Sequence, residues 1–441
     1  MKKIIFLIIA LTLPVNAQTG VYTLEQSLAT GLKNSKELKI AESKVIEAEA
    51  KANEVFSNFL PQISLSSSYT RLSDVPPFEV QIPFGNTKFK IQEPVLNNYA
   101  VVLSLKQPVF TGFRLSSLHS AAGLNYKAVK ADCEKIKNET AFGIRKAFWN
   151  FYKAGKILEI VNQNLVNVKT QLEKVRNFYK NGIVTESDLL KLEVLLSEIN
   201  LKKLDAENNV NLARIAFNKA LGIRLNEPSE ISVDSIETNL ENISFQESLD
   251  EAIQNRFELK SLKYKLEAAG ENISAAKSGW LPSLFVFGDF QYSRPNQRLL
   301  PLEDKFYDTW DVGVALSWKL WDWGETSSKV TQAKQKLIQA ENSEKLIREA
   351  IEMEVYKNYF NLMHNKEKIS ANKIAVKSAE ENYRVAAKKY SGQIIPVSDL
   401  VDAQTSLLDA QVKLQIALVD FELAKAEFYK SLGRKIYSTD M

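Results

Sequence analysis

The run from Ala141 to Gly222 reads AFGIRKAFWNFYKAGKILEIVNQNLVNVKTQLEKVRNFYKNGIVTESDLLKLEVLLSEINLKKLDAENNVNLARIAFNKALG. Ile144, Phe151, Leu158, Leu165, Leu172 and Tyr179 recur every seven residues. Ala147, Ala154, Val161, Val168 and Val175 fill the intervening heptad position. Beyond a short break, Leu189, Leu192, Leu196, Ile199, Lys203, Ala206, Val210, Ala213, Phe217 and Ala220 step by three and four, with Lys203 as the one polar member. An apolar repeat of seven sustained this long specifies two helices wound as a left-handed coiled coil.

The same pattern returns 211 positions later. Val355, Leu362, Ile369, Val376, Tyr383 and Tyr390 carry the outgoing stripe. Leu400, Ala403, Leu407, Ala410, Leu414, Ala417, Phe421, Ala424 and Phe428 carry the return. The breaks align as well, Tyr179 to Leu189 against Tyr390 to Leu400, and both hairpins end alike at Leu221-Gly222 and Leu432-Gly433. An internal duplication therefore organises the chain.

Working outward, each hairpin is preceded by a change of period from seven to two. Ile63, Leu65, Ser67 and Tyr69 alternate with Gln62, Ser64, Ser66 and Ser68. Tyr99 to Val109 alternates in the same way. In the second half Leu284, Val286, Gly288, Phe290 and Tyr292 form one alternating row and Trp310, Val312, Val314, Leu316, Trp318 and Leu320 another. These read as four strands, at about 62–72, 98–110, 283–293 and 309–321. Helices ending at Leu60-Pro61 and Leu281-Pro282 lead into them, since proline disfavours helix in the residue before it. Ser73 to Asn98 and Arg294 to Asp308 read as loops. Ile231 to Ile236, inside the link between the halves, reads as a short extended segment.

The boundaries that follow are a signal peptide over 1–17, a first repeat over 18–222 with its hairpin at 114–221, and a linker over 223–244. A second repeat covers 245–433 with its hairpin at 325–432, and a tail covers 434–441. The signal peptide rests on basic Lys2-Lys3, an apolar run from Ile4 to Leu13 and the small-x-small triplet Val15-Asn16-Ala17. No later segment holds 18 apolar residues in a row, so no transmembrane helix is expected.

The composition narrows the function. The net charge of +4 falls near +2 once Lys2 and Lys3 are gone, and the lysines are scattered, which argues against nucleic acid as a partner. One Cys (Cys133) and two His (His119 and His364) without ligand spacing argue against a metal, and no phosphate-binding glycine loop or nucleophile motif is present. The expectation is no cofactor and no catalysis.

Strands of about eleven residues suffice to cross a tilted bilayer span. Their ends carry Tyr69, Tyr99, Phe110, Phe285, Phe290, Tyr292, Trp310, Trp318, Trp321 and Trp323, as at a membrane-interface girdle. Four strands cannot close a barrel, and open edges are not viable in lipid, so several chains must pool them. Two chains give eight strands and a filled interior. Three give twelve and room for water, which favours a trimer if the protein is a conduit. The outgoing helix from Arg114 to Tyr179 would be roughly 100 Å long.

In this order and twice over, the helix-to-strand junctions, the Phe110-Thr111-Gly112 and Trp321-Asp322-Trp323-Gly324 strand-to-helix junctions, the hairpin turns and the Ala-Leu-Gly-like ends resemble the TolC family of outer-membrane factors. The resemblance covers nearly the whole chain after the signal peptide. It implies a mainly α fold with a membrane β-barrel. Each chain would give four strands to a trimeric 12-stranded barrel and its coiled-coil hairpins to a periplasmic α-barrel, with an equatorial belt near 21–36, 223–256 and the tail. It implies an outer-membrane exit duct with a long periplasmic extension, used for efflux or type I secretion, whose partners are a periplasmic adaptor protein, an inner-membrane transporter and outer-membrane lipid.

Site residues follow position by position. Asn181, Gly182 and Ile183 resemble the family's adaptor-docking turn. In the second turn Gln393 stands where the family has Gly, preceded by Gly392. Asp399 and Asp402 match two acidic positions of the channel constriction. Their spacing of three puts them on one flank of a helix, where six carboxylates from three chains would favour cations. The competing reading of two Asp near a helix start is capping and dipole complementarity. Asp188 and Tyr390 match two members of a latch between coils, whose usual Arg is replaced by Ile395. The alternative function is a structural or adhesive trimeric coiled coil anchored in the outer membrane. An enzyme built on the Asp399/Asp402 pair has no supporting pocket pattern.

Overall fold

A computed structural model describes residues 20–81, 88–92, 94–234, 236 and 244–437. The signal segment 1–17, part of the linker and the last four residues of the tail lie outside the described residues. The chain forms two compact units, each drawing segments from both sequence repeats. One comprises Glu42–Cys133 and Phe257–Arg348, the other Met1–Ala41, Glu134–Arg256 and Glu349–Met441.

The elements run in order β1 (Val21–Tyr22), α1 (Leu24–Asn34), α2 (Lys36–Ser57), β2 (Gln62–Arg71), β3 (Phe78–Gln81), β4 (Lys88–Gln92), β5 (Asn97–Phe110), α3 (Arg114–Lys180) and α4 (Glu186–Leu221). The second repeat follows with β6 (Glu230–Ile231), α5 (Phe245–Asn255), α6 (Phe257–Lys277), β7 (Ser283–Arg294), β8 (Tyr307–Ser317), α7 (Glu325–Ser391) and α8 (Val397–Ser431). Among the described residues no helix is long and apolar enough to cross a membrane.

The first unit is built on an antiparallel sheet of order β2-β5-β7-β8. Its register puts Leu65 opposite Leu103, Leu103 opposite Phe290, and Phe290 opposite Trp310, so one apolar row crosses all four strands. Trp310, Val312, Val314 and Leu316 along that face are 67–71% exposed. The other face carries Ser64, Ser66, Ser104, Asp289 and Asp311, because side chains alternate along a strand. On that face Phe287 lies over Gly313, where a Cβ would come within 2.5 Å of its ring. At the helix-proximal end Gly112, at φ 62, lies so close to Leu281 and Ser278 that a Cβ there would fall within 2.9 Å of both. The end of the first strand pair is thereby seated on the start of the second.

Three details depart from the sequence reading. The stretch read as a loop after β2 contains the antiparallel pair β3–β4, whose short alternation Phe78-Glu79-Val80-Gln81 is hidden among prolines. β8 ends at Ser317 rather than near 321, and the Trp318 indole N–H donates to the Trp280 carbonyl at 3.1 Å instead of facing a ladder. Among the described residues of the linker the extended segment is Glu230–Ile231, which pairs in parallel with Val21–Tyr22.

Two apolar clusters are found among the described residues of the second unit. One gathers Leu28, Ile144, Phe148, Phe151, Phe217, Leu221 and Ile436. The last of these is held by Asn138, which accepts from the Ile436 N–H at 3.0 Å and donates to the Arg434 carbonyl at 2.7 Å. The other cluster joins the turn-proximal ends of both hairpins. It contains Val161, Leu165, Val168, Leu172 and Val175 of α3, Leu192, Leu195 and Ile199 of α4, Ala386 and Tyr390 of α7, and Val397, Leu400, Ala403 and Leu408 of α8. The heptad stripes thus face a shared core, each buried Leu or Val contributing about 1.5–3 kcal/mol by leaving water. Lys203 in the α4 stripe is half-buried and pairs with Glu207 at 3.4 Å.

Candidate functional site: the paired hairpin turns

The two turns sit at the ends of helices that share one core, so the candidate residues are brought to one end of the second unit. Their backbones match. Gly182 has φ 69, its N–H donates to the Tyr179 carbonyl at 2.9 Å, and the Ile183 N–H donates to Phe178 at 2.9 Å. Gln393 has φ 61, its N–H donates to Tyr390 at 2.9 Å, and the Ile394 N–H donates to Lys389 at 2.9 Å. This is the left-handed helix ending that glycine normally fills. Gln393 itself takes the strained position, and the neighbouring Gly392 is not at positive φ. Asn181, Gly182, Gly392 and Gln393 are all exposed. Ile183 and Ile394 present 44% and 73% of their surface, large for apolar side chains. The Asn181 amide is tied back to the Asn177 carbonyl at 2.9 Å.

The following helix starts differ. Thr185 caps α4 in a reciprocal box. Its hydroxyl oxygen accepts from the Asp188 N–H at 3.2 Å, while the Asp188 carboxylate accepts from the Thr185 N–H at 3.2 Å and its hydroxyl at 2.8 Å. The equivalent cap of α8 is Pro396, which makes no side-chain hydrogen bond. Proline has neither a hydroxyl nor an N–H, so Asp399 cannot complete a box. Among the described residues its carboxylate accepts only a long 3.4 Å contact, from the Ser398 hydroxyl. Asp399 and Asp402 are exposed, while Leu400, Ala403 and Leu407 between and beyond them are buried. The side-chain cap is thus made by Asp188 and not by Asp399, which keeps its place in the first turn of α8, where a carboxylate complements the helix dipole.

Tyr390 is 6% exposed within the shared core, and its hydroxyl has no hydrogen-bond partner among the described residues. Burial first, and then the negative charge of Asp188, pushes its phenol above the usual tyrosine range. Asp188 and Tyr390 thus feel one another without a hydrogen bond. Ile395 packs against the same core. Gln404, which the sequence reading passed over, is 3% exposed, with both amide atoms unpartnered among the described residues. The one available signal was a polar residue where the stripe Leu400-Ala403-Leu407 turns inward. Among the described residues no group of three or more His, Cys, Asp or Glu could hold a metal.

The sequence matches the family profile described as "Outer membrane efflux protein" over residues 28–223 and 248–434. The chain belongs to this family. The outer membrane protein TolC of Escherichia coli K12 is 22% identical over 418 residues, covering 92% of this chain and 81% of that protein. TolC of Vibrio cholerae is 24% identical over 281 residues, covering 63% of this chain and spanning 60% of the length of that relative. The Campylobacter jejuni CmeC outer membrane channel superposes with a TM-score of 0.75 at 17% identity, covering 93% of this chain and 85% of CmeC. The fold is that of these outer-membrane channels. The chain is accordingly an outer-membrane channel for efflux or secretion, and its relatives are channels rather than enzymes.

Proposed function

We propose that the protein is one of three identical chains that form a passive, gated exit duct, opened at the hairpin turns by a periplasmic adaptor and fuelled by an inner-membrane transporter. The observation that carries the reading is the four-stranded sheet, bare and apolar on one face and serine-rich on the other. Lipid suits the first face and a water-filled lumen the second. Lipid leaves no viable open edge, so β2 and β8 are completed by other copies.

The helices support the same assembly. On α7, Met353, Phe360 and Ile374 share one heptad position, interrupted by Glu367, and are 63–74% exposed. On α4, Leu190, Val194, Leu201, Leu204 and Leu212 are 51–62% exposed. Two different uncovered seams on one chain suit a head-to-tail ring, which closes by rotation. Within it, Asp399 and Asp402 form the constriction, Asp188 and Tyr390 help hold the closed state, and the two turns, with Ile183 and Ile394 outermost, receive the adaptor.

The test is a planar-bilayer recording of the purified full-length protein. Discrete conductance steps from a trimer support the duct. A well-folded trimer without channel activity favours an adhesive or structural coiled coil.

A further inference from the structure

We propose that the loop between β7 and β8 folds over the lumen-facing side of the sheet and forms a second, outer constriction of the duct. The inference rests on the barrel reading above and adds a site at the opposite end of the strands from the helices. Its geometry starts from strand alternation. Trp310, Val312, Val314 and Leu316 face the bare apolar side, so Thr309 and Asp311 face the other. The loop reaches both. The Asn296 amide donates to the Thr309 hydroxyl at 3.2 Å and to the Tyr307 carbonyl at 3.2 Å, and the Arg298 guanidinium pairs with the Asp311 carboxylate. The Arg298 N–H donates to the Asn296 side-chain oxygen at 3.0 Å, fixing the two as a unit.

Burial agrees. Ser293, on the polar row of β7, is 1% exposed, and Asn296 is 1% exposed. Polar groups at the rim of a lumen stay wet unless something lies over them, and here the loop does. Charge gives a reason for the contact. Asp311 stands directly opposite Asp289 in the register, and like charges across a strand pair repel. Arg298 supplies the missing cation. Both Arg298 and Asp311 keep over a third of their side-chain surface exposed, so the pair presents charge to the open space rather than vanishing into a core.

The loop is clamped on the other face as well. Arg294 grips Asp304 through two hydrogen bonds of 2.7 and 2.9 Å, and the Phe306 ring stacks on Tyr292 at 5.0 Å and meets Tyr99 at 6.0 Å. It therefore straddles the sheet rim with a ring stack on the lipid side and a charged finger on the lumen side. Three copies would converge three Arg298 fingers at the outer mouth and hinder bulky solutes arriving from outside.

The test uses the full-length protein in intact cells, with Cys133→Ser removing the native thiol. A thiol is introduced on the lumen row below the loop by Ala315→Cys or on the lipid row by Val314→Cys. Each is probed from outside with a small neutral maleimide and with a bulky, neutral polyethylene glycol maleimide. The expected result at position 315 is fast labelling by the small probe and slow labelling by the bulky one. Arg298→Ala or Asn296→Ala should speed the bulky probe about tenfold (about 1.4 kcal/mol). The exchanged pair Arg298→Asp with Asp311→Arg should return it to the slow rate, which separates the contact from general loss of folding. Equal bulky-probe rates with and without Arg298 overturn the outer constriction and leave the duct intact. Equal labelling of positions 314 and 315 overturns the barrel reading, and the constriction with it.

Discussion

The turn after α3 and the turn after α7 lie 211 residues apart and share a backbone, down to the same pair of 2.9 Å hydrogen bonds and a left-handed residue at the same place. They differ in what they do with an equivalent acid. In the first turn a threonine hydroxyl and N–H occupy Asp188, which becomes part of the helix start. In the second turn Pro396 offers neither group, and Asp399 is left exposed beside Asp402. A duplicated element has thus kept its fold while one substitution at the cap separates a structural carboxylate from an available one. The strain is distributed unequally too, with glycine at φ 69 in one turn and glutamine at φ 61 in the other.

The comparison can be broken in several places. The largest effect is expected in the core beneath the turns. Leu400 is 1% exposed, whereas its counterpart Leu189 is half-buried. Leu400→Ala should cost about 3–5 kcal/mol and Leu189→Ala clearly less, read from denaturant unfolding of the purified protein. Equal losses would mean that the turns rest on equivalent cores. Next, Thr185→Ala should cost about 1 kcal/mol and speed hydrogen exchange in the first turn of α4, while Pro396→Ala should leave the start of α8 without comparable loss.

Gln393→Gly should stabilise the second turn by about 1 kcal/mol, and Gly182→Gln should weaken the first by a similar amount. Unchanged melting of both would remove the strain argument. The smallest effect belongs to Tyr390→Phe. Its hydroxyl is buried and unpartnered among the described residues, so removing it should change stability at neutral pH by less than about 0.5 kcal/mol. The sign at high pH is fixed by the raised phenol. The neutral ring's contribution is complete below the unfolded tyrosine value of 10.0 and is lost as pH climbs through the higher folded value. The Phe variant should therefore resist alkaline unfolding better than the parent, as followed by circular dichroism.

The helices, the strand rows and the duplication were legible because each is periodic, and a stripe of seven or two survives without knowledge of its neighbours. The acids were legible as a pair at spacing three. The distinction between capped Asp188 and uncapped Asp399 was present in the alignment of Thr185 with Pro396 but needed the hydrogen bonds to be seen. Gln404 was hidden because burial of a polar side chain is set by the packing of other helices. The outer loop was unreadable for a related reason. Asn296, Arg298 and Phe306 act through partners on three strands, and nothing periodic links them. The β3–β4 pair was obscured by the prolines around it.

The most direct test of the central claim records block of single channels by multivalent cations for the parent, Asp399→Asn with Asp402→Asn, and Asp188→Asn. If the uncapped acids line the constriction, block is lost in the double variant and kept in Asp188→Asn. Block that survives the double variant, or that disappears with Asp188→Asn alone, contradicts the assignment.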